Sequence, residues 1–368
     1  MRKVLILTTS TGEGHNQAAN SLLEAFSEAN FECIKHDFLG SNSKFLNKAI
    51  VKGYEITASK FPSIYGFFYS ATNNNFSNKF LQLIFTKNSY KLLKFIESTK
   101  PDLIIGTHPL TVNIISKLKT KGMNIPFISV VTDFKAHYTY INPKVDAYIT
   151  GSDYTKQSLI DRGISKDQIY PIGIPIRESF YTNDKNIICI KDKEYFNILL
   201  MSGSMGLENI YYVLNELLTN ENKLRITIVC GNNESLKDHI MSTCVEDYPD
   251  KKIHILGFSK DIAYLMEYSD LIISKPGGLT VTEAIVKNLP LIIPFAIPGQ
   301  EMENTEFLSS NGYAYHIDKI KDINESINYL INHPESLVSI QDKLKTLAAT
   351  YSIKEIINIG NNLIAESN

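Results

Sequence analysis

The sequence predicts an α/β protein made of two doubly wound halves. Each half opens with the same pattern of a buried strand, a glycine loop and a helix, first over residues 4–29 and again over residues 197–218. Elsewhere, short apolar runs end in polar residues, as parallel strands do where their carboxyl ends face a ligand site. These runs lie at residues 127–131, 147–150, 226–230, 253–256, 271–274 and 291–295, and one more ends at His108.

Two domains are expected, because 368 residues exceed what a single hydrophobic core usually serves. We place the first domain at residues 1–175, completed by a C-terminal helix at about 352–368. The second domain covers residues 190–350, and a proline-bounded linker at residues 176–189 joins the two.

The composition is that of a soluble globular protein, with 43% hydrophobic and 21% charged residues. The four cysteines are far apart and form no CxxC pair, which argues against a zinc site or a disulfide framework and fits a reducing cytosol. The N-terminal apolar run is too short for a signal peptide, and no run is long enough to span a membrane. The net charge of −2 divides into +7 for residues 1–174 and −9 for the rest, so the first half is expected to meet an anionic partner.

The first glycine loop, STGEGH at residues 10–15, places His15 at the N-terminus of a helix. The loop lacks the complete dinucleotide fingerprint, and no acidic ribose partner follows at the usual spacing, so the NAD signal is weak. The helix dipole disfavours a charged histidine at this position, which would leave His15 neutral and able to accept a proton. The alternative is a histidine near the helix cap without a chemical role.

A second candidate base follows the apolar run at residues 127–131. Asp133 stands where that strand ends and could orient or deprotonate a substrate, with His137 four residues further on. A lone carboxylate at this position could equally cap the next element.

Residues 44–100, which we call the basic aromatic stretch, contain nine lysines against two acids, interleaved with many aromatic residues. Two helical patterns, at about 44–59 and 77–98, flank a loop. The composition favours an interfacial membrane surface, where each lysine near an anionic leaflet contributes about 1 kcal/mol. The alternatives are a domain core with a solvated lysine face, or single-stranded nucleic acid, which the dense aliphatic packing and the lack of arginine disfavour. The membrane-contact candidates are Phe67, Phe68, Tyr69, Lys87 and Lys91.

Residues 269–304 read as a strand, a Gly-Gly turn, a helix at about 280–287, a second strand and a polar loop at 298–304. Glycines at a strand-to-helix turn leave backbone N–H groups unshielded, so that they can donate to a phosphate. The positive end of the helix dipole further favours binding of an anion there. Glu283 follows Thr280 by three residues, so a plain capping box at a tight turn is the alternative. The amide and carboxylate groups of PGQEMEN, at an adjacent strand end, suggest that a polyhydroxylated group accompanies the phosphate. A nucleotide-sugar has both.

The motifs KPGGLTVTEA (275–284) and PGQEMEN (298–304) resemble glycosyltransferase family 28, whose members have the GT-B layout of two Rossmann-like domains facing a cleft. Three further motifs, STGEGHNQAA (10–19), TDFKAH (132–137) and GSDYTKQSLIDRGI (151–164), resemble the branch of monogalactosyldiacylglycerol synthases and processive diacylglycerol β-glucosyltransferases. The resemblance extends over nearly the whole chain.

The resemblance implies a role for each matching residue. His15 would be the base or the group that positions the acceptor, with Asp133 as its rival, and Gly14 and His137 would lie on the acceptor side. Glu283 would bind the ribose diol, the backbone around Phe258 would hold uracil, and other donor residues would cradle the diphosphate or read the sugar hydroxyls. The donor-binding set is Ser204, Gly206, Phe258, Lys275, Gly277, Gly278, Leu279, Thr280, Glu283, Gln300, Glu301 and Asn304.

The resemblance also implies the reaction: inverting transfer of a hexose, glucose rather than galactose, from a UDP-sugar to diacylglycerol. The chain has no DxD motif, so we expect turnover without a metal or another cofactor. Anionic lipids would hold the protein on the cytoplasmic face of the cell membrane, and no nucleic acid partner is expected. The alternatives are an N-acetylglucosaminyltransferase acting on a polyprenyl-linked peptidoglycan precursor, and a non-catalytic sensor of UDP or lipid.

Overall fold

A computed structural model describes residues 1–9, 13–38, 62–74, 86–182, 193–204, 206–243 and 248–367, apart from the side chains of residues 62, 64, 65, 68 and 86–89. The chain forms two compact units. The first unit comprises Met1–Arg177, Pro298–Glu303 and Thr350–Asn368, and the second comprises Glu178–Ile297 and Asn304–Ala349.

The first unit contains a six-stranded parallel sheet in the order β2-β1-β3-β4-β5-β6. Its strands are β1 Lys3–Thr8, β2 Glu32–Asp37, β3 Leu103–Gly106, β4 Phe127–Val130, β5 Ala147–Ile149 and β6 Ile169–Tyr170. Its helices are α1 Glu13–Glu28, α2 Pro62–Thr72, α3 Thr86–Thr99, α4 Pro109–Thr120, α5 Asp153–Ile160 and the C-terminal helix α13 Ile353–Ser367. The strand order reverses direction between β1 and β3, which is the switch point where doubly wound sheets bind ligands.

Both faces of this sheet are covered, because residues that alternate along β1 belong to different cores. Val4 and Ile6 pack with Phe26 of α1 and with residues of α13, whereas Leu5 and Leu7 pack on the opposite side with residues of α3 and α4. A strand buried on both faces reads as a continuous apolar run. Burial of α13 against the first sheet explains why the end of the chain belongs to the first unit.

The second unit also has a six-stranded parallel sheet, in the order β12-β11-β10-β7-β8-β9. The strands are β7 Phe196–Met201, β8 Leu224–Val229, β9 Lys251–Leu256, β10 Leu271–Ser274, β11 Leu291–Ile293 and β12 Ala314–His316. The helices are α6 Asn209–Leu218, α7 Glu234–Thr243, α8 Ile262–Glu267, α9 Gly278–Val286, α10 Gln300–Ser310, α11 Ile323–Asn332 and α12 Pro334–Ala348. The first turn of α10, up to Glu303, belongs to the first unit. The switch point lies between β7 and β10, so their carboxyl ends lie side by side.

Several elements differ from the sequence prediction. The segment 298–304, predicted as a loop, becomes helical at Gln300, where α10 begins. The predicted loop within the basic aromatic stretch contains α2, and the helix predicted at 77–98 is described only from Thr86. The helix predicted at about 44–59 and the second half of the predicted linker, residues 183–189, lie outside the described residues. Within the described ranges, no helix combines the length and the apolar character that crossing a membrane requires.

Candidate functional site

His15 lies at the switch point of the first sheet. It is in the first turn of α1, and its Nδ1 is 2.7 Å from the carbonyl oxygen of Thr107, which directly follows β3. Thr132, just beyond β4, places its hydroxyl 3.0 Å from the same nitrogen. Since a carbonyl only accepts, Nδ1 carries the proton and donates it to Thr107. Nε2 is therefore the unprotonated nitrogen of the neutral ring, which makes it the atom that can accept a proton from a substrate hydroxyl.

Burial keeps this histidine neutral. It lowers the pKa of His15 to about 4, an effect that the hydrogen bond to Thr107 partly opposes. His108 packs edge-on against the His15 ring, with 4.5 Å between ring centroids. Burial, together with the neighbouring His15, holds the pKa of His108 well below its usual value. At neutral pH the ring is therefore unprotonated at Nε2, the form in which a histidine can accept a proton.

His108 and Thr107 were not among the site residues predicted from the sequence. His108 accepts a hydrogen bond from the backbone N–H of Leu110 at 3.1 Å and caps α4, so its Nδ1 acts as an acceptor. The sequence signal was present, because both residues directly follow an apolar run, but only the tertiary contact shows that they orient His15.

Asp133 is half-buried in the loop after β4, next to Thr132, and burial together with the Asp133 charge raises the pKa of Tyr140. His137 is buried and engaged at both ring nitrogens: Nδ1 lies 3.2 Å from the backbone nitrogen of Thr139, and Nε2 lies 3.3 Å from the carbonyl oxygen of Tyr69. His137 therefore connects this loop to helix α2. Gly14, in the first turn of α1, directly precedes His15.

The buried histidines predict a pH dependence of stability. Burial lowers the pKa of both His15 and His137 to about 4, whereas an unfolded chain titrates near 6.5. Between these values the unfolded state binds more protons, so the free energy of unfolding rises with pH and is lost as pH falls from about 6.5 to about 4. Urea unfolding of His15→Gln should show a smaller difference between pH 7 and pH 5 than wild type does. The exposed control His316→Gln should keep the wild-type difference, and equal differences in all three proteins would contradict the prediction.

In the second unit, the two predicted phosphate turns follow the adjacent strands β7 and β10. The first turn contains Ser204 and Gly206, and the Lys275 side chain approaches it, with Cε 3.4 Å from the position that a Cβ on Gly203 would occupy. Gly206 has φ +58°, and the side-chain amide of Asn233 donates a 2.8 Å hydrogen bond to its carbonyl oxygen. The switch-point geometry thus brings a cation beside the first turn.

Helix α9 begins differently from the prediction. Its N-cap is Gly277, at φ −67° and ψ 137°, and no side chain caps the helix. The capping box with Thr280 at the N-cap was therefore wrong, because Thr280 lies inside the first turn and Glu283 in the second. The N-terminal amides of α9, including those of Gly278 and Leu279, are not covered by a capping side chain. Glu283 is half-buried.

The segment 298–304 contributes side chains to both units. Glu301 is buried within the first turn of α10, and Gln300 is half-buried beside it. Asn304, fully buried, donates a hydrogen bond of 2.9 Å from its side-chain amide to the carbonyl oxygen of Pro276, directly before the Gly277 cap. Asn304 thereby supports the start of α9.

Phe258, predicted to mark the uracil position, follows β9 and is 54% exposed. The neighbouring Gly257 lies close to α7, because a Cβ there would be 3.1 Å from a carboxylate oxygen of Glu234. An exposed phenylalanine beside a backbone turn is available to a planar ligand.

The membrane-contact candidates lie in α2 and α3. Phe67 is 71% exposed on α2, and Lys91 is exposed on α3. The Tyr69 side chain instead packs within the first unit, 4.6 Å from the His137 ring between centroids. Phe68 and Lys87 lie in these helices, but their side chains are outside the described part. Across the described ranges, no cluster of three His, Cys, Asp or Glu side chains could hold a metal ion.

Two protein families match the chain, one for each half. The family described as monogalactosyldiacylglycerol (MGDG) synthase matches residues 15–176. The family described as the glycosyltransferase family 28 C-terminal domain matches residues 197–357. Together they include nearly all of the residues that carry the predicted site.

Among curated relatives, the processive diacylglycerol beta-glucosyltransferase of Bacillus pumilus is 31% identical over 361 residues, covering 97% of this chain and 94% of that protein. Among solved structures, Acinetobacter baumannii MurG superposes with a TM-score of 0.64 at 14% identity, covering 98% of this chain and all of MurG. HepE of Anabaena, in complex with UDP-glucose, gives a TM-score of 0.56 at 14% identity, covering 100% of this chain and 99% of HepE.

The structural similarities confirm the GT-B fold predicted from the sequence, with its two parallel six-stranded sheets. The family matches and the full-length relative confirm the family resemblance and the enzyme class. The chain belongs to glycosyltransferase family 28, in the branch of the monogalactosyldiacylglycerol synthases and processive diacylglycerol β-glucosyltransferases, and it is a glycosyltransferase.

Proposed function

We propose that this enzyme transfers a hexose, preferably glucose, from a UDP-sugar to the hydroxyl group of diacylglycerol, with inversion at the anomeric carbon. The observation that carries the proposal is the 31% identity, over 97% of the chain, to a processive diacylglycerol beta-glucosyltransferase. Two features at the switch points of the sheets support it. In the first unit this is the neutral His15, and in the second it is the start of α9, whose backbone amides no side chain caps.

The first unit provides the acceptor chemistry. His15 accepts the proton of the diacylglycerol hydroxyl at Nε2, while Thr107 and Thr132 fix the ring through Nδ1. The acceptor oxygen then attacks the anomeric carbon as the bond to the UDP leaving group breaks. Direct displacement of this kind inverts the configuration at that carbon.

The second unit holds the donor. The carboxylate of Glu283 accepts hydrogen bonds from the ribose hydroxyls, and the backbone beside Phe258 receives uracil. Backbone N–H groups of the turn that contains Ser204 and Gly206, and those at the start of α9, donate to the diphosphate. Gln300 and Glu301 bind sugar hydroxyls.

We propose that the leaving diphosphate needs no metal ion. Its developing charge requires fixed donors or a cation in place when the bond breaks. The amides at the N-terminus of α9 and the ammonium of Lys275, whose Cε lies near Gly203, would supply these donors and this charge. No DxD motif occurs in the sequence.

We further propose that the enzyme works as a peripheral protein on the cytoplasmic membrane face. Exposed Phe67 and the lysines of the basic aromatic stretch would contact anionic lipid, and diacylglycerol would reach His15 without leaving the bilayer.

The test is a transfer assay with purified protein and diacylglycerol in phosphatidylglycerol-containing vesicles. UDP-glucose should give a glucosyl product in the presence of EDTA, with UDP-galactose less effective, and mass spectrometry would count the sugars added. If neither donor gave a glycosylated diacylglycerol, the proposal would be wrong. Transfer of N-acetylglucosamine to a polyprenyl-linked acceptor would favour the peptidoglycan alternative, and UDP binding without any turnover would favour the sensor.

A further inference from the structure

We propose that Tyr69 on α2 is a positioning residue for the segment Pro298–Glu303, which it holds so that Gln300 and Glu301 can read the donor sugar. The inference rests on the proposed function in one respect, the assignment of sugar recognition to these two side chains. Neither Tyr69 nor Glu303 was predicted to act on the donor.

The Tyr69 hydroxyl donates a hydrogen bond of 2.7 Å to a carboxylate oxygen of Glu303. The same carboxylate lies 3.7 Å from the Lys135 ammonium, so its charge is balanced on a second side. Both Tyr69 and Glu303 are partly buried. A hydrogen bond to a charged acceptor away from bulk water is among the stronger ones in a protein.

Backbone packing brings the same two segments together. Gly66 lies one helical turn before Tyr69, and a Cβ on it would be only 2.6 Å from Cβ of Pro298. Gly299 adopts φ +103°, and a Cβ there would be 2.8 Å from Cγ of Tyr69. Side chains at either glycine would push α2 and the segment apart.

Tyr69 therefore contacts both ends of the first turn of α10. Its ring packs against Gly299, whose carbonyl oxygen accepts the backbone hydrogen bond of Glu303 at 3.2 Å, and its hydroxyl holds the Glu303 side chain. Gln300 and Glu301 lie within that turn. Fixing both ends limits how far these two side chains can move.

Helix α2 is itself held by the loop that contains Thr132. Nε2 of His137 lies 3.3 Å from the carbonyl oxygen of Tyr69, and the side-chain oxygen of Asn73 accepts a 3.0 Å hydrogen bond from the backbone of Tyr138. The loop that contains Thr132, which contacts His15, is therefore joined through α2 to the first turn of α10.

The experiment compares the binding of UDP-glucose with that of UDP by calorimetry, in wild type and in Tyr69→Phe. The variant removes one hydroxyl and keeps the ring. We expect UDP-glucose to bind about 5- to 20-fold more weakly, in line with one hydrogen bond to a partly buried charge, while UDP, which lacks the hexose, binds as before. Tyr212→Phe, an exposed tyrosine on α6, is the matched control and should change neither affinity.

A double-mutant cycle isolates the pair. Glu303→Ala should weaken UDP-glucose binding by itself, and Tyr69→Phe should then add little, whereas Glu303→Gln, which retains an acceptor oxygen, should restore part of the loss. Equal weakening of UDP and UDP-glucose, or additive effects of Tyr69→Phe and Glu303→Ala, would overturn the inference. A wild-type protein that transfers no hexose would count against the proposed function alone, because the selective effect on UDP-glucose binding can be measured without turnover.

Discussion

Replacing His15 with alanine is expected to lower kcat by about 10²–10⁴, the usual share of a general base. The ring is neutral because burial lowers its pKa to about 4, and the donation of Nδ1–H to Thr107 leaves Nε2 as the proton acceptor. Alanine has neither nitrogen. Steady-state kinetics with diacylglycerol vesicles and UDP-glucose would measure the loss, and calorimetry should show that UDP binding is preserved.

His15→Asn separates chemistry from structure. The asparagine amide can replace Nδ1–H as the donor to Thr107 but provides no base at the position of Nε2. We therefore expect His15→Asn to unfold at nearly the wild-type urea midpoint and still to lose kcat as His15→Ala does. His316→Ala, a change at an exposed histidine on β12, should retain wild-type rates.

Asp133 is the competing base, and Asp133→Asn distinguishes the two. If His15 is the base, the asparagine variant should lose less of kcat than His15→Asn. The reverse order would assign the base to Asp133 and reduce His15 to a positioning role.

The sequence predicted all of the central strands and one edge strand, β9, but missed the other three edge strands. Apolar runs identify β1, β3, β4, β5, β7, β8, β10 and β11, because a central parallel strand is buried on both faces. The strands without a prediction, β2, β6 and β12, each lie at the edge of a sheet. β2, Glu32–Asp37, has no fully buried residue, so its six residues carry no continuous apolar signal.

The site could be predicted in its local motifs but not in its long-range contacts. His15 and the Gly277-Gly278 turn stand out because a glycine loop between a strand and a helix is a sequence pattern. The bond between Tyr69 and Glu303 joins residues 234 positions apart, and no local pattern signals it. For the same reason the helical start of α10 was read as a loop: its polar residues are held by contacts that lie elsewhere in the chain.

Replacing Gly206 with alanine is expected to destabilise the second unit by about 2–5 kcal/mol and to weaken UDP binding. Gly206 combines φ +58° with close packing, since a Cβ there would lie 1.9 Å from the carbonyl oxygen of Cys230 and 2.8 Å from Cβ of Asn233. The left-handed conformation costs a non-glycine residue about 1–2 kcal/mol, and forcing atoms into a filled space costs about 1–3 kcal/mol more. Relieving this contact requires the turn to move, and we expect that movement to weaken the proposed hydrogen bonds to the diphosphate.

Gly163→Ala is the matched control that separates these two costs. Gly163 also has a positive φ, +88°, but nothing lies within 4 Å of the position its Cβ would occupy. It should therefore lose only the conformational part, about 1–2 kcal/mol in urea unfolding, and its UDP affinity should not change. Equal destabilisation by the two substitutions would mean that the close approach to Cys230 does not constrain the turn. Weaker UDP binding in Gly206→Ala, with UDP binding unchanged in Gly163→Ala of the first unit, would support the assignment of the Gly206 turn to the diphosphate.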